Sequence, residues 1–135
     1  MSFTLYFDGS SKSNPGLAGA GAVLYDENHN EIWCISKKVG DKETNNYAEY
    51  CGLIFGLEEC LQRLQHIKHL VVKGDSLLVI KQMKGEYKVK SENLLPLYKK
   101  AKELQLQINV SCANIDFIHV YRNENKRADE LSTIF

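Results

Sequence analysis

No apolar run in this chain approaches the roughly 20 residues that a membrane helix needs, which argues against a membrane span. It also opens without a basic-then-apolar leader, which points to an intracellular, cytoplasmic protein. Met1 stands almost directly before the first strand-like segment, so no extra binding module is expected ahead of it. Repeats, linkers and low-complexity stretches are missing too. Cysteine is sparse: Cys34, Cys51, Cys60 and Cys112 form no Cys-x-x-Cys pair and do not cluster with the four histidines. That argues against a zinc site and for free core thiols in a reducing compartment. Net charge is absent as well. The formal value is zero, whereas a nucleic-acid-binding domain often has a pI above about 9.

What is present fits one globular domain over residues 1–135, with 44% apolar residues to build a core. The charge is also unevenly spread. From Lys73 to Lys102, eight lysines face Asp75, Glu86 and Glu92, so this span carries +5 and the remainder −5. An acidic centre beside a basic, phosphate-tracking surface has this division. A solvated lysine-rich helix face gives the same count.

Hydrophobic periodicity sets the expected elements. Residues 3–8 alternate as a strand, with Phe3, Leu5 and Phe7 on one face and Thr4, Tyr6 and Asp8 on the other. Ser10 to Gly16 has turn chemistry, ending in Asn14-Pro15-Gly16. Residues 19–25 and 31–38 read as two more strands of an antiparallel meander. Thr44 to Gln65 reads as a helix capped by Thr44 or Asn45, with Tyr47, Tyr50, Ile54, Leu57, Leu61 and Leu64 forming one stripe. A strand over 69–75, a short helix over 76–84, a helix from Ser91 to Leu106, a strand over 114–121 and a final helix capped by Asn125 complete the order. The expected fold is α/β: a mixed five-stranded sheet, part antiparallel meander and part parallel, with helices on both faces.

Four acidic residues occupy unusual positions in this pattern. Asp8 ends the first strand and runs into Gly9-Ser10-Ser11. Glu49 lies in the first turns of the long helix, Asp75 closes the run Leu70 to Gly74, and Asp129 lies in the last helix. Carboxylates at strand ends and helix starts can converge on one sheet edge, where they repel strongly unless divalent cations neutralise them. Such a cluster suits two-metal phosphoryl transfer.

Taken in order, four blocks resemble the type 1 ribonuclease H family. They are Asp8-Gly9-Ser10 with Asn14-Pro15-Gly16, Thr44-Asn45-Asn46 with Glu49, Gly74-Asp75-Ser76, and Asn125 to Leu131. The resemblance covers Phe3 to about Leu131 and implies a ribonuclease H-like fold. It also implies an endonuclease that cuts the RNA strand of an RNA–DNA hybrid, leaving 5′-phosphate and 3′-hydroxyl ends. By the same resemblance Asp8 bridges two Mg²⁺ ions about 4 Å apart, with Mn²⁺ as substitute. Glu49 and Asp75 each complete one shell, and Asp129 holds the ion on the water side. Gly9, Ser10, Asn45, Asn46 and Ser76 then contact the minor groove or the RNA sugars, while Asn14 and Thr44 grip a DNA phosphate.

Three departures from the family pattern stand out. The basic, tryptophan-bearing insertion of many members is reduced to Gly85 to Lys90, which implies weaker hybrid affinity or compensation by Lys81, Lys84, Lys88 and Lys90. Leu77 stands where some relatives place a glutamine. The mobile histidine of the family has only His119 as a counterpart, within a strand-like run, so proton transfer by His119 competes with a packing role. Arg122 is the candidate for a phosphate contact. His29, His66 and His69 show no metal spacing and are expected at the surface. Two other functions stay open: a nuclease of this fold acting on another nucleic acid, and a catalytically weak hybrid-binding module. A monomer is expected.

Overall fold

The first strand, β1 (Ser2–Ser11), lies at the centre of a five-stranded sheet of order β3-β2-β1-β4-β5. The structure is a computed structural model that describes residues 2–111 and 113–135. β2 (Gly16–Tyr25) and β3 (Glu31–Glu43) add to β1 as an antiparallel meander, and β4 (His69–Gly74) and β5 (Asn114–His119) run parallel on its other side. The helices are α1 (Asn45–Gln62), α2 (Leu77–Met83), α3 (Leu95–Val110) and α4 (Lys126–Thr133). This is the mixed α/β architecture expected from the sequence.

The alternation of β1 explains the two layers. Phe3, Leu5 and Phe7 join Leu53, Leu57, Leu70, Val72 and Ile80 in the larger core, under α1 and α3. Tyr6 points to the other face, where Val23, Ala128 and Leu131 form a smaller cluster under α4. Each of the largest buried side chains contributes about 1.5–3 kcal/mol by leaving water. α1 is buried more fully than its expected stripe: Leu53 and Cys60 are also inaccessible, because the helix is packed between β1 and α3.

Several element boundaries differ from expectation. α1 stops at Gln62 because Arg63 leaves helical geometry and its N–H closes a tighter turn onto the Cys60 carbonyl. The apolar period then continues through a 3₁₀ turn, Leu64–His66. Ser91 does not cap α3 with its side chain. Its carbonyl accepts from the Leu94 and Leu95 N–H groups in a preceding turn, so α3 starts at Leu95 with Pro96 in its first turn. Strand β5 ends at His119 rather than Tyr121, because the chain turns into a 3₁₀ segment, Arg122–Glu124.

Cys51 and Cys60 are buried, but Cys34 is exposed, on the edge strand β3 with only one neighbouring strand. Cys112 lies outside the described residues. His29 and His66 are exposed, whereas His69 is half-buried between Ser2 and Asp116, with its Nε2 2.7 Å from an Asp116 oxygen. A buried polar link joins α1 to α2: the Tyr50 hydroxyl donates to Gln82 Oε1 at 2.5 Å, and Gln82 Nε2 donates to the Lys88 carbonyl at 3.4 Å. Lys81 and Lys84 both pair with Glu86, so two of the four compensating lysines have their charge partly cancelled. Lys88 and Lys90 are exposed.

Candidate active site

The sheet changes direction of growth at β1, and ligands of open α/β sheets gather at strand ends where this happens. In the parallel pairing Phe7 faces Gly74, so Asp8 and Asp75 emerge side by side from neighbouring strands. Gly9 brings α1 to the same place. A Cβ there would overlap the backbone of Ala48 and Glu49, so only glycine lets the helix start approach this closely. Thr44 secures that start: its hydroxyl accepts from the Tyr47 N–H at 3.1 Å.

Asp8, Glu49 and Asp75 each offer one carboxylate oxygen within 4.8 Å of the other two. Asp8 and Glu49 are only 4% and 7% exposed, an expensive location for charge. Burial pushes the Asp8 carboxyl up to about 7, with Asp75 and Asp129 adding to the rise and Glu49 and the Gly9 N–H opposing it. Burial also raises Glu49 well above the usual carboxylate range, reinforced by Asp8 and Asp75. Asp75 is raised by burial and by Asp129, against lowering by Asn125, Arg122 and Asp8. Protons therefore occupy this cluster near neutral pH unless a cation replaces them.

The donor set fits a hard divalent cation: all-oxygen, and clustered at the end of the sheet. Glu49 Oε2 is buried and has no hydrogen-bond partner among the described residues, as a ligand oxygen awaiting a cation would be. Asp129 lies outside the closest trio but lines the same depression of about 500 Å³. Its carboxylate is 3.7 Å from Arg122.

The depression also includes Gly9, Ser10, Ser11, Asn45, His119, Tyr121 and Arg122. Asn45 is fixed from two sides: its side chain accepts from the Ser11 N–H at 2.8 Å, and its N–H donates to Asn14 Oδ1 at 2.9 Å. Asn14 and Thr44 are exposed beside it but do not line the depression, and Asn46 is half-buried on α1. Ser76 caps α2, accepting from the Val79 N–H at 3.2 Å. Leu77, in the glutamine position, is 45% exposed.

Asn125 differs from its expected capping role. Its side chain makes no cap bond to α4; Nδ2 instead donates to the Phe7 carbonyl at 3.0 Å, while the Asn125 carbonyl accepts from the Asp129 N–H. At 1% exposure it is a buried support for the cluster. Asparagine at a helix start fits capping so well that the sequence offered no sign of this second use.

A family model described as "Reverse transcriptase-like" matches residues 6–134. The chain is 39% identical to the bifunctional protein Rv2228c of Mycobacterium tuberculosis over 98% of its own length, but spans only 35% of that protein. Among solved structures, RNase H1 from Halobacterium salinarum is 32% identical, with coverage of 98% and 95% and a TM-score of 0.85. The LC11-RNase H1 in complex with an RNA/DNA hybrid is 35% identical, with coverage of 96% and 93% and the same TM-score.

Proposed function

This chain belongs to the ribonuclease H family, and on that premise we propose that it hydrolyses the RNA strand of RNA–DNA hybrids with divalent-cation help. The observation that carries the reading is the trio of buried Asp8, buried Glu49 and half-buried Asp75, with its partnerless Glu49 oxygen. With Asp129, these residues would hold two Mg²⁺ ions, or Mn²⁺ in their place. When bound, such cations stabilise charge on the phosphodiester and make water more acidic at neutral pH.

The chain's own residues supply position and selection. The Ser10 and Ser11 edge and the doubly anchored Asn45 offer small polar groups to the minor groove, where the 2′-hydroxyl distinguishes RNA from DNA. Asn14 and Thr44, exposed together near the start of α1, suit a phosphate of the DNA strand. Arg122, 80% exposed on its side chain beside Asp129, suits a phosphate near the cut. His119, half-buried at the end of β5, lines the same depression and would be the residue to aid proton transfer. The products would carry 5′-phosphate and 3′-hydroxyl ends.

One gel tests this. Labelled hybrid, RNA duplex, DNA duplex and single-stranded RNA are incubated with Mg²⁺, Mn²⁺ or chelator, using wild type and Asp8→Asn. Hybrid cleavage lost with chelator and in the variant is the expected result. Preferential cleavage of DNA duplex would assign another substrate, and binding without cleavage would assign a hybrid-binding module.

A further inference from the structure

We infer that Tyr121 is a substrate-positioning residue, its ring packing against the ribose edge of the RNA strand beside the acidic cluster. The inference rests on the hybrid-cleavage reading above and names the contact on the side of the site that this reading leaves unfurnished. Asn45 is hydrogen-bonded to Ser11 at the end of β1, whereas Asp75 follows β4 and Tyr121 follows β5, the next strands along the sheet. The β1 side is rich in small polar groups. On the β5 side, charge and a histidine are already assigned, but no apolar surface is.

Tyr121 supplies that surface. It lines the same depression as Asp8, Glu49, Asp75 and Asp129, yet it is 72% exposed, matched among the described large apolar side chains only by Val110. A single exposed tyrosine needs no explanation on an ordinary surface. This one is held in place. Its N–H donates to Glu124 Oε1 at 3.0 Å, and its carbonyl accepts from the Glu124 N–H at 2.8 Å. Its ring stands edge-to-face on His119, with centroids 5.6 Å apart and planes at 75°.

A backbone pinned twice and a ring braced by a neighbour lose little freedom on binding, which improves a contact at no cost in shape. Bases within a duplex are already stacked on one another, so an aromatic ring at a duplex-cutting site meets sugar edges rather than base faces. The wide, shallow minor groove of an A-like duplex presents those edges together with the 2′-hydroxyls. The role is apolar packing, so it belongs to the ring and not to the hydroxyl.

Steady-state cleavage of a labelled hybrid by wild type, Tyr121→Ala and Tyr121→Phe tests the assignment. Tyr121→Ala is expected to raise KM about five- to tenfold, at the low end for removing an aromatic from a nucleic-acid contact, with kcat little changed. Tyr121→Phe should retain wild-type KM. Thermal melting should be unaltered in both, and the salt dependence of KM should be unchanged because no charged contact is lost. An unaltered KM in Tyr121→Ala, an equal defect in Tyr121→Phe, or a fall confined to kcat would each overturn the inference while leaving the hybrid reading in place. A wild type that does not cut hybrid would end both.

Discussion

Asn125 donates its side-chain N–H to the Phe7 carbonyl across 3.0 Å, tying the helix that carries Asp129 to the strand that carries Asp8. Both groups are buried, so the bond cannot be replaced by water from bulk solvent. Asn125 also lowers the Asp75 carboxyl, so one side chain supports three of the four acids.

Asn125→Ala should therefore do two kinds of damage. Leaving the Phe7 carbonyl unpaired should cost about 1–3 kcal/mol of stability, read by denaturant unfolding. Loss of support for the ligands should weaken divalent-cation binding by roughly 10–100-fold, read by calorimetry. Asn125→Asp should be no better than alanine, since a charged carboxylate cannot donate to Phe7 and repels Asp75. Wild-type metal affinity in either variant would remove the supporting role.

Asp8→Asn and Asp75→Asn should each lower hybrid cleavage by roughly a thousandfold, the upper range for losing one preorganised electrostatic group. Folding should survive, because the amide removes a repulsive charge from the cluster. Melting of the metal-free variants at or above the wild-type temperature is the expected result. A clear drop would show that these carboxylates also hold the fold together.

The stability of the metal-free protein should fall as pH rises from about 4 to 7. Asp8 titrates near 7 when folded but near 3.8 when unfolded, so the folded state holds the extra proton across that window. The stabilisation is complete below the unfolded value and is lost as pH passes the folded one. The slope is at most about 1.4 kcal/mol per pH unit for each proton. Asp8→Asn should flatten the profile. Chemical denaturation at four pH values decides it, and a wild-type profile that rises through the window would contradict the assignment.

Cation binding should expel those protons. Titration of Mg²⁺ at pH 6 in buffers of different ionisation enthalpy should show proton release that shrinks by pH 9. Equal heats in all buffers at pH 6 would mean that the cluster is already ionised.

Gly9→Ala should destabilise the protein by about 1–3 kcal/mol, because the new methyl group meets the backbone of α1 and not a movable side chain. Activity should fall further than stability, since the shift separates Glu49 from Asp8. A variant that melts like wild type would show that α1 can slide freely.

The sheet, its mixed direction and the candidate acids were legible in the sequence because period-two alternation and turn residues mark them locally. Asp8 and Asp75 stand out because each interrupts an apolar run; Asp75 does follow the end of β4, whereas β1 continues past Asp8 to Ser11 by pairing with β2. The full burial of Leu53 and Cys60 was not legible, since it depends on α3 covering the outer side of α1. The exposure of Cys34 depends on β3 being an edge strand, which only strand order decides. The pairing of Glu86 with Lys81 and Lys84 likewise escaped charge counting, because a left-handed residue at Gly85 folds the chain back over the helix end. Asn125 was read as a cap because its residue type suits both uses.

The hydroxyl of Tyr50 is one residue along α1 from the Glu49 carboxylate, and through Gln82 it reaches the carbonyl of Lys88. That ties the short lysine-bearing strap to the helix that feeds the acidic trio. On the proposed function, a tilt of α1 that moved Glu49 would pull on the strap too, so a duplex held by Lys88 and Lys90 would be geared to alignment at the cut.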